Sequence, residues 1–173
     1  ALIDLLDLEP IEINIFRGVN PDEERQRIFG GQVAGQALVA AARTVDDDRA
    51  VHSLHAYFLR PGDFNRPVVY QVERSRDGGS YSNRRVVAIQ HGRPILNLAA
   101  SFKTPEQGLE HQAEMPEVPG PEGLTSLVDI NRSMLDKVPE KMRRFLAHKP
   151  PFEFRPVEAP KFIEPGPREP IKN

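Results

Sequence analysis

The sequence predicts an α+β fold in which one antiparallel sheet wraps a single long helix. Three observations carry this. One Ala-rich segment keeps a helical period. The stretch after it switches to a period of two, punctuated by short turns. Of the 17 prolines, 11 fall after residue 115, so long regular elements are confined to the first part of the chain, because each proline removes a donor and fixes φ. One helix and about five strands do not make a doubly wound sheet, and a sheet curled round the helix is the simplest layered solution.

Taken in order, 1–8 reads as a short amphipathic helix through Leu2, Leu5, Leu6 and Leu8. Residues 11–17 alternate Ile11, Ile13 and Ile15 and read as one strand. The central helix is expected over Gly30–Val45, with Val33, Ala37, Leu38, Ala41 and Val45 on one face. Those side chains are small, which lets a curved sheet approach the helix axis closely. Asp46, Asp47 and Asp48 end it, lying outside the helix because carboxylates oppose its C-terminal dipole. Strands follow at 51–60, 68–74, 81–90 and 95–103. Asp77-Gly78-Gly79 and His91-Gly92-Arg93-Pro94 join the last three into a meander, with glycine expected to supply a positive φ. Three regions result: 1–104 as a compact unit, 105–150 as a Pro-rich linker, and 151–173 as something further. There is no internal repeat.

Composition narrows the function. The chain of 173 residues has 23 Lys+Arg against 25 Asp+Glu, a net charge of −2, and so lacks the basic footprint of a nucleic-acid binder. It has no cysteine, which excludes disulfides, a thiol nucleophile and thiolate metal sites. No apolar run approaches the roughly 20 residues of a membrane span, and Ala1-Leu2-Ile3-Asp4 has no basic leader region. A soluble cytoplasmic protein is expected. Gly30–Ala37 superficially fits a phosphate loop, but Gln36-Ala37 replaces the required Lys and hydroxyl residue. The glycine spacing also fails the dinucleotide pattern.

Several words, in order, resemble one family. They are Phe29-Gly30-Gly31-Gln32-Val33-Ala34-Gly35-Gln36-Ala37-Leu38, then Val51-His52-Ser53-Leu54-His55-Ala56-Tyr57-Phe58-Leu59-Arg60-Pro61-Gly62-Asp63, then Gln71-Val72-Glu73-Arg74, Arg76-Asp77-Gly78, Ser80-Tyr81-Ser82, Ala88-Ile89-Gln90 and Ala100-Ser101-Phe102. His111-Gln112 and Met115-Pro116 continue the series. Together they resemble the type II acyl-CoA thioesterases, the bacterial thioesterase II and peroxisomal acyl-CoA thioesterase family. The resemblance implies a hotdog fold, and specifically the first half of a double hotdog. Residues 105–150 would be the inter-unit connection and 151–173 the start of a truncated second unit, with Phe152–Glu158 similar to its first strand. The implied activity is hydrolysis of fatty acyl-CoA to fatty acid and coenzyme A, with no cofactor. The implied partners are acyl-CoA and a second hotdog unit, in an oligomer. The compartment is cytoplasmic, with the peroxisome as alternative.

In the family an Asp, a Thr and a Gln of the second unit hold the nucleophilic water, and none has a counterpart here. The comparable stretch of this helix, Gly35-Gln36, has no carboxylate. The segment alone is therefore expected to lack the catalytic residues, and the alternative function is a non-catalytic acyl-binding or scaffold half-domain. A hotdog hydratase would need an Asp and a His in an extended loop motif that is missing.

Candidate substrate-binding residues are Gly31, Gln32, Gln36 and Arg60. The helix N-terminus at Gly30-Gly31 places amides and the positive end of the dipole where an oxyanion could sit; the competing reading is close helix–sheet packing. Gln32 and Gln36 share a helix face one turn apart and serve either a site or polar packing. Arginines outnumber lysines 17 to 6, and Arg60, Arg74, Arg76, Arg84 and Arg85 could meet the phosphates of coenzyme A or form a solvated face. His52, beside Ser53, is the weak candidate for a catalytic base, although strand neighbours point apart. His52 and His55, three apart, fall on opposite faces and cannot share a metal; His91, His111 and His148 add no metal pattern.

Overall fold

The computed structural model describes residues 2–20, 27–147 and 152–158. Two units divide the chain, Ala1–Leu109 and Glu110–Asn173. The first unit contains α1 (Leu2–Leu6), β1 (Glu9–Glu12), β2 (Ile15–Gly18), α2 (Gly30–Ala42), β3 (Ala50–Phe58), β4 (Val68–Asp77), β5 (Tyr81–Gln90) and β6 (Arg93–Lys103). All six strands form one antiparallel sheet in the order β1-β2-β4-β5-β6-β3.

The core lies between α2 and one face of this sheet. Val33, Ala37, Ala40 and Ala41 of α2 pack on Val68, Tyr70 and Val72 of β4, Val86 and Ala88 of β5, and Leu96, Leu98, Ala100 and Phe102 of β6. Alanines at the contact let the sheet close on the helix, while the larger sheet residues supply apolar area, each contributing about 1.5–3 kcal/mol on full burial. Polar groups join this face at both ends of β5, whose inward side reads Ser82, Arg84, Val86, Ala88, Gln90, all buried. The Arg84 guanidinium donates from Nε to Thr44 Oγ1 (2.8 Å), from Nη2 to Thr44 O (2.8 Å) and Asp77 Oδ1 (2.7 Å), and from Nη1 to Arg76 O (3.2 Å) and Asn83 O (2.9 Å). It thus caps the C-terminal end of α2, where a cation suits the dipole. Arg84 is therefore a core residue and not part of a surface available to coenzyme A.

Three expectations change. Residues 11–17 are not one strand but the hairpin β1–β2, which reverses at Ile13-Asn14 with Asn14 in the left-handed region (φ 62°). The Asn14 carbonyl accepts from Val72 N at 2.8 Å and its Oδ1 from Arg74 Nε at 2.9 Å, which fixes the turn on β4. Positive φ falls not at Gly78 or Gly79 but at His91 (49°) and Gly92 (68°), the two central residues of the β5–β6 turn. Two successive positive φ values match the right-handed twist of a two-residue hairpin. Finally, α2 stops at Ala42; Arg43 and Thr44 donate backbone amides to Val39 O and Ala41 O as the helix unwinds.

In the second unit, α3 (Leu127–Met134) and α4 (Glu140–Leu146) are short helices within the Pro-rich stretch. Ser126 caps α3 by accepting from Asp129 N at 3.2 Å. Residues 152–158 carry no strand; Phe154 O accepts from Leu127 N at 2.7 Å, and Arg155 Nη1 donates to Pro121 O (2.8 Å) and Leu124 O (3.2 Å). A strand needs a ladder partner, and this segment bonds to a turn instead. The remainder of 151–173, and His148, lie outside the described residues.

A candidate binding cleft at the start of the central helix

Phe29 is the N-cap of α2 and offers no side-chain acceptor to the first amides. Gln32 N and Val33 N both donate to Phe29 O, at 3.0 and 3.4 Å. The Gly30 and Gly31 amides precede the first intrahelical bond and have no partner among the described residues. They carry the positive end of the helix dipole. Over them lie two exposed rings. A Cβ built on Gly30 would meet the Phe58 ring at 3.0 Å, and one on Gly31 would meet the Phe29 ring at 2.5 Å. Phe58 and Phe29 are 61% and 67% exposed, so glycine here makes room for rings that remain open to solvent.

A cleft of about 430 Å³ opens at this helix end, within the size range of small-molecule sites. Ile28, Val33, Phe58, Leu59 and Ile95 give it apolar walls; Arg27 and Arg60 give it positive charge; Gly30, Pro61 and Gly62 complete it. The walls come from distant segments. Antiparallel pairing of β3 with β6 sets Phe58 opposite Leu96 and so beside Ile95. Leu59 N and Arg60 N both donate to Ile95 O, at 2.9 and 3.3 Å, and Ile28 N donates to Gly62 O at 3.2 Å. A second cleft of about 370 Å³ lies beside Ile11, Ile13, Arg43, Thr44 and Arg74. It sits at the other end of α2, where the helix presents carbonyl oxygens. The helix dipole favours negative charge at the first cleft and disfavours it at that helix end.

The structure sorts the sequence candidates. Arg60 lines the first cleft, with Nη1 donating to Pro94 O at 2.7 Å. Gly31 lies beside it in the first turn of α2. Gln32 turns away, donating from Nε2 to Asn20 Oδ1 at 2.8 Å. Gln36 is fully buried: Nε2 donates to Leu5 O (2.7 Å) and Val19 O (3.4 Å), and Oε1 accepts from Tyr70 OH (2.6 Å). Burial pushes the Tyr70 phenol up, so it stays a neutral donor. His52 is hydrogen-bonded to Ser101 Oγ (2.8 Å) and meets the Tyr81 ring edge-on. It stands six residues before Phe58 on β3, about 20 Å away along an extended strand, too far to serve the cleft. Sequence reasoning missed Ile28, Phe58 and Ile95, whose only signal was an apolar residue beside a turn.

Among the described residues, no acid or base lines the cleft. That lining suits recognition: the Gly30 and Gly31 amides, without a described partner, suit an oxygen acceptor, the apolar walls suit carbon chains, and the guanidinium groups suit anions.

Comparison with known proteins bears on the family and the fold. The family described as the acyl-CoA thioesterase N-terminal domain matches residues 21–103. Acyl-coenzyme A thioesterase 8 of Homo sapiens is 45% identical over 160 residues, covering 88% of this chain and 50% of its own. Among solved structures, the acyl-CoA thioesterase II TesB2 of Mycobacterium marinum is 52% identical with a TM-score of 0.63, over 69% of this chain and 44% of that one. A hot dog fold protein of Alicyclobacillus acidocaldarius superposes with a TM-score of 0.61 at 24% identity, over 72% of this chain and 48% of that one. The sheet wrapped on α2 is the hotdog fold. The chain spans about half the length of the curated relatives it matches.

Proposed function

Residues 21–103 belong to the acyl-CoA thioesterase N-terminal domain family, and from that premise we propose that this chain is the first lobe of a double-hotdog enzyme hydrolysing fatty acyl-CoA to fatty acid and coenzyme A. The observation that carries the reading is the cleft at the start of α2. Its Gly30 and Gly31 amides, without a partner among the described residues, suit the oxygen of a thioester carbonyl, which gains charge when water attacks. One such donor is worth about a hundredfold or more in rate in other hydrolases. Ile28, Val33, Phe58 and Ile95 accept acyl or pantetheine carbons, and Arg27 and Arg60 suit the phosphates.

Water activation needs a base, and among the described residues the cleft lining supplies none. We assign that role to a second hotdog unit. The exposed edge of the sheet supports such a partner. β3 is the last strand, with its outer edge unpaired among the described residues and Val51, Leu54, Tyr57 and Phe58 exposed. An uncovered apolar edge strand invites pairing. The same lack of a base among the described lining residues supports the second reading for the lobe by itself, an acyl-binding half that needs its complement. The proposed compartment is the cytoplasm, with the peroxisome as alternative; among the described residues no helix is long and apolar enough to cross a membrane.

The test is free thiol released from a medium-chain acyl-CoA by the purified 173-residue chain. The expected rate equals the buffer blank. Sustained turnover would place a complete reaction centre in this lobe and overturn the division of labour.

A further inference from the structure

We propose that Gln90 is a positioning residue for the cleft: its buried amide holds the loop 59–67 so that the near side of that loop forms the wall facing the start of α2. The inference rests on the acyl-CoA reading of the cleft and adds a residue that does not line it.

The loop joins β3 to β4. Its first part, Leu59 to Gly62, lines the cleft. Its second part is gripped from behind. Gln90, the last residue of β5 and 5% exposed, accepts at Oε1 from Asp63 N (2.8 Å). Its Nε2 donates to Asp63 O (2.9 Å), Arg66 O (2.8 Å) and Pro67 O (3.2 Å). One side chain therefore reaches both backbone groups of Asp63 and two further carbonyls, sharing one of its two N–H groups, in a turn that has no ladder of its own. Phe64 is buried in the core beside it.

The other side of the turn is held by Asn20, whose Nδ2 donates to Phe64 O (2.7 Å) and Arg66 O (2.8 Å). Asn20 Oδ1 in turn accepts from Gln32 Nε2, and Gln32 stands in the first turn of α2. A continuous chain of hydrogen bonds thus runs from the end of β5, through the loop and Asn20, to the first turn of α2. Gly62 O closes the circuit by accepting from Ile28 N. The two walls of the cleft are set against each other by this brace. Gln32 serves the site through Asn20 rather than by touching a ligand.

The test compares the 173-residue chain with Gln90→Leu, of similar volume but no polar atoms, and with Asn20→Ala, which releases the loop from its partly buried side should the first variant fold poorly. Three readouts are taken at a temperature where each variant is fully folded: amide exchange at Ile28 and Asp63, the Gly30, Leu59 and Gly62 amide resonances, and Kd for a thioether analogue of a medium-chain acyl-CoA. Loss of several hydrogen bonds predicts at least about tenfold faster exchange in the loop, with β5 and β6 amides unchanged. The cleft resonances shift, and Kd rises about tenfold. Unchanged loop exchange overturns the inference, as does an unchanged Kd in a variant whose loop has opened; either result leaves the acyl-CoA reading intact. Failure of the unsubstituted chain to bind the analogue overturns that reading, and with it the role of Gln90.

Discussion

Replacing Arg84 by leucine removes the cation that closes the C-terminal end of α2. All five of its N–H bonds go to Thr44, Asp77, Arg76 and Asn83, and its side chain is 1% exposed. Leucine leaves the buried Thr44 hydroxyl and carbonyl without a donor. Removing one member of a buried ion pair costs about 3–5 kcal/mol. Asp77, however, is 52% exposed, so water can solvate its carboxylate once Arg84 is gone, and the low end applies. The expected loss is about 3 kcal/mol, with the Thr44 groups and the helix dipole as its main sources. Urea unfolding followed by far-UV circular dichroism measures it, the midpoint falling with little change in slope. Arg84→Lys recovers only part, because an ammonium cannot span Thr44 and Asp77 in the same fork. A loss below about 1 kcal/mol for Arg84→Leu would refute the reasoning, since it would mean the buried acceptors find water without this guanidinium.

Tyr70→Phe leaves Gln36 Oε1 buried without the phenol that donates to it at 2.6 Å. It is expected to cost about 1–3 kcal/mol in the same assay. Gly18→Ala places a Cβ 2.5 Å from Gln36 Oε1 and is expected to cost about 1–3 kcal/mol by forcing that buried amide aside; a neutral substitution would show that Gln36 has room to move. Asp63 is held below the ordinary 3.8 by the Asn65 amide first and then by His91. Asp77 is held below 3.8 by Ser82 first and then by Arg84. Depressed carboxylates stabilise the fold fully above their ordinary value and lose that contribution as pH falls through their native midpoints. Carboxyl titration by NMR should therefore place both midpoints below 3.8, with stability declining only in that acid range. A midpoint above 3.8 for either would contradict its hydrogen bonds.

The helix and the three-strand meander were legible because their periods are unmixed. Gly30 to Ala42 is small and apolar on one face, and 68–77, 81–90 and 93–103 are separated by turn residues. The β1–β2 hairpin was not legible. Ile11, Ile13 and Ile15 alternate as one strand would, and Asn14, able to take a left-handed φ, was the only mark of reversal. The burial of Arg84 was hidden for a related reason: in 81–90 both parities carry apolar residues, Val86 and Ala88 against Val87 and Ile89, so alternation did not say which face was inward. At the candidate cleft, Arg60 was marked by the Pro61 turn and lines it, while Gly31, marked by the helix start, is next to the lining residue Gly30. The partners that occupy Gln32 and Gln36, namely Asn20, Leu5, Val19 and Tyr70, are remote in sequence, and only the folded sheet brings them within reach.

The most direct measurement is an NMR titration of the chain with a non-hydrolysable thioether analogue of a medium-chain acyl-CoA, followed at every assigned amide. Saturable binding is predicted, with the largest shifts at Gly30, Gly31, Val33, Phe58, Arg60 and Gly62. Absence of binding, or shifts concentrated at the opposite end of α2 around Arg43, Thr44 and Arg74, would contradict the assignment of the cleft.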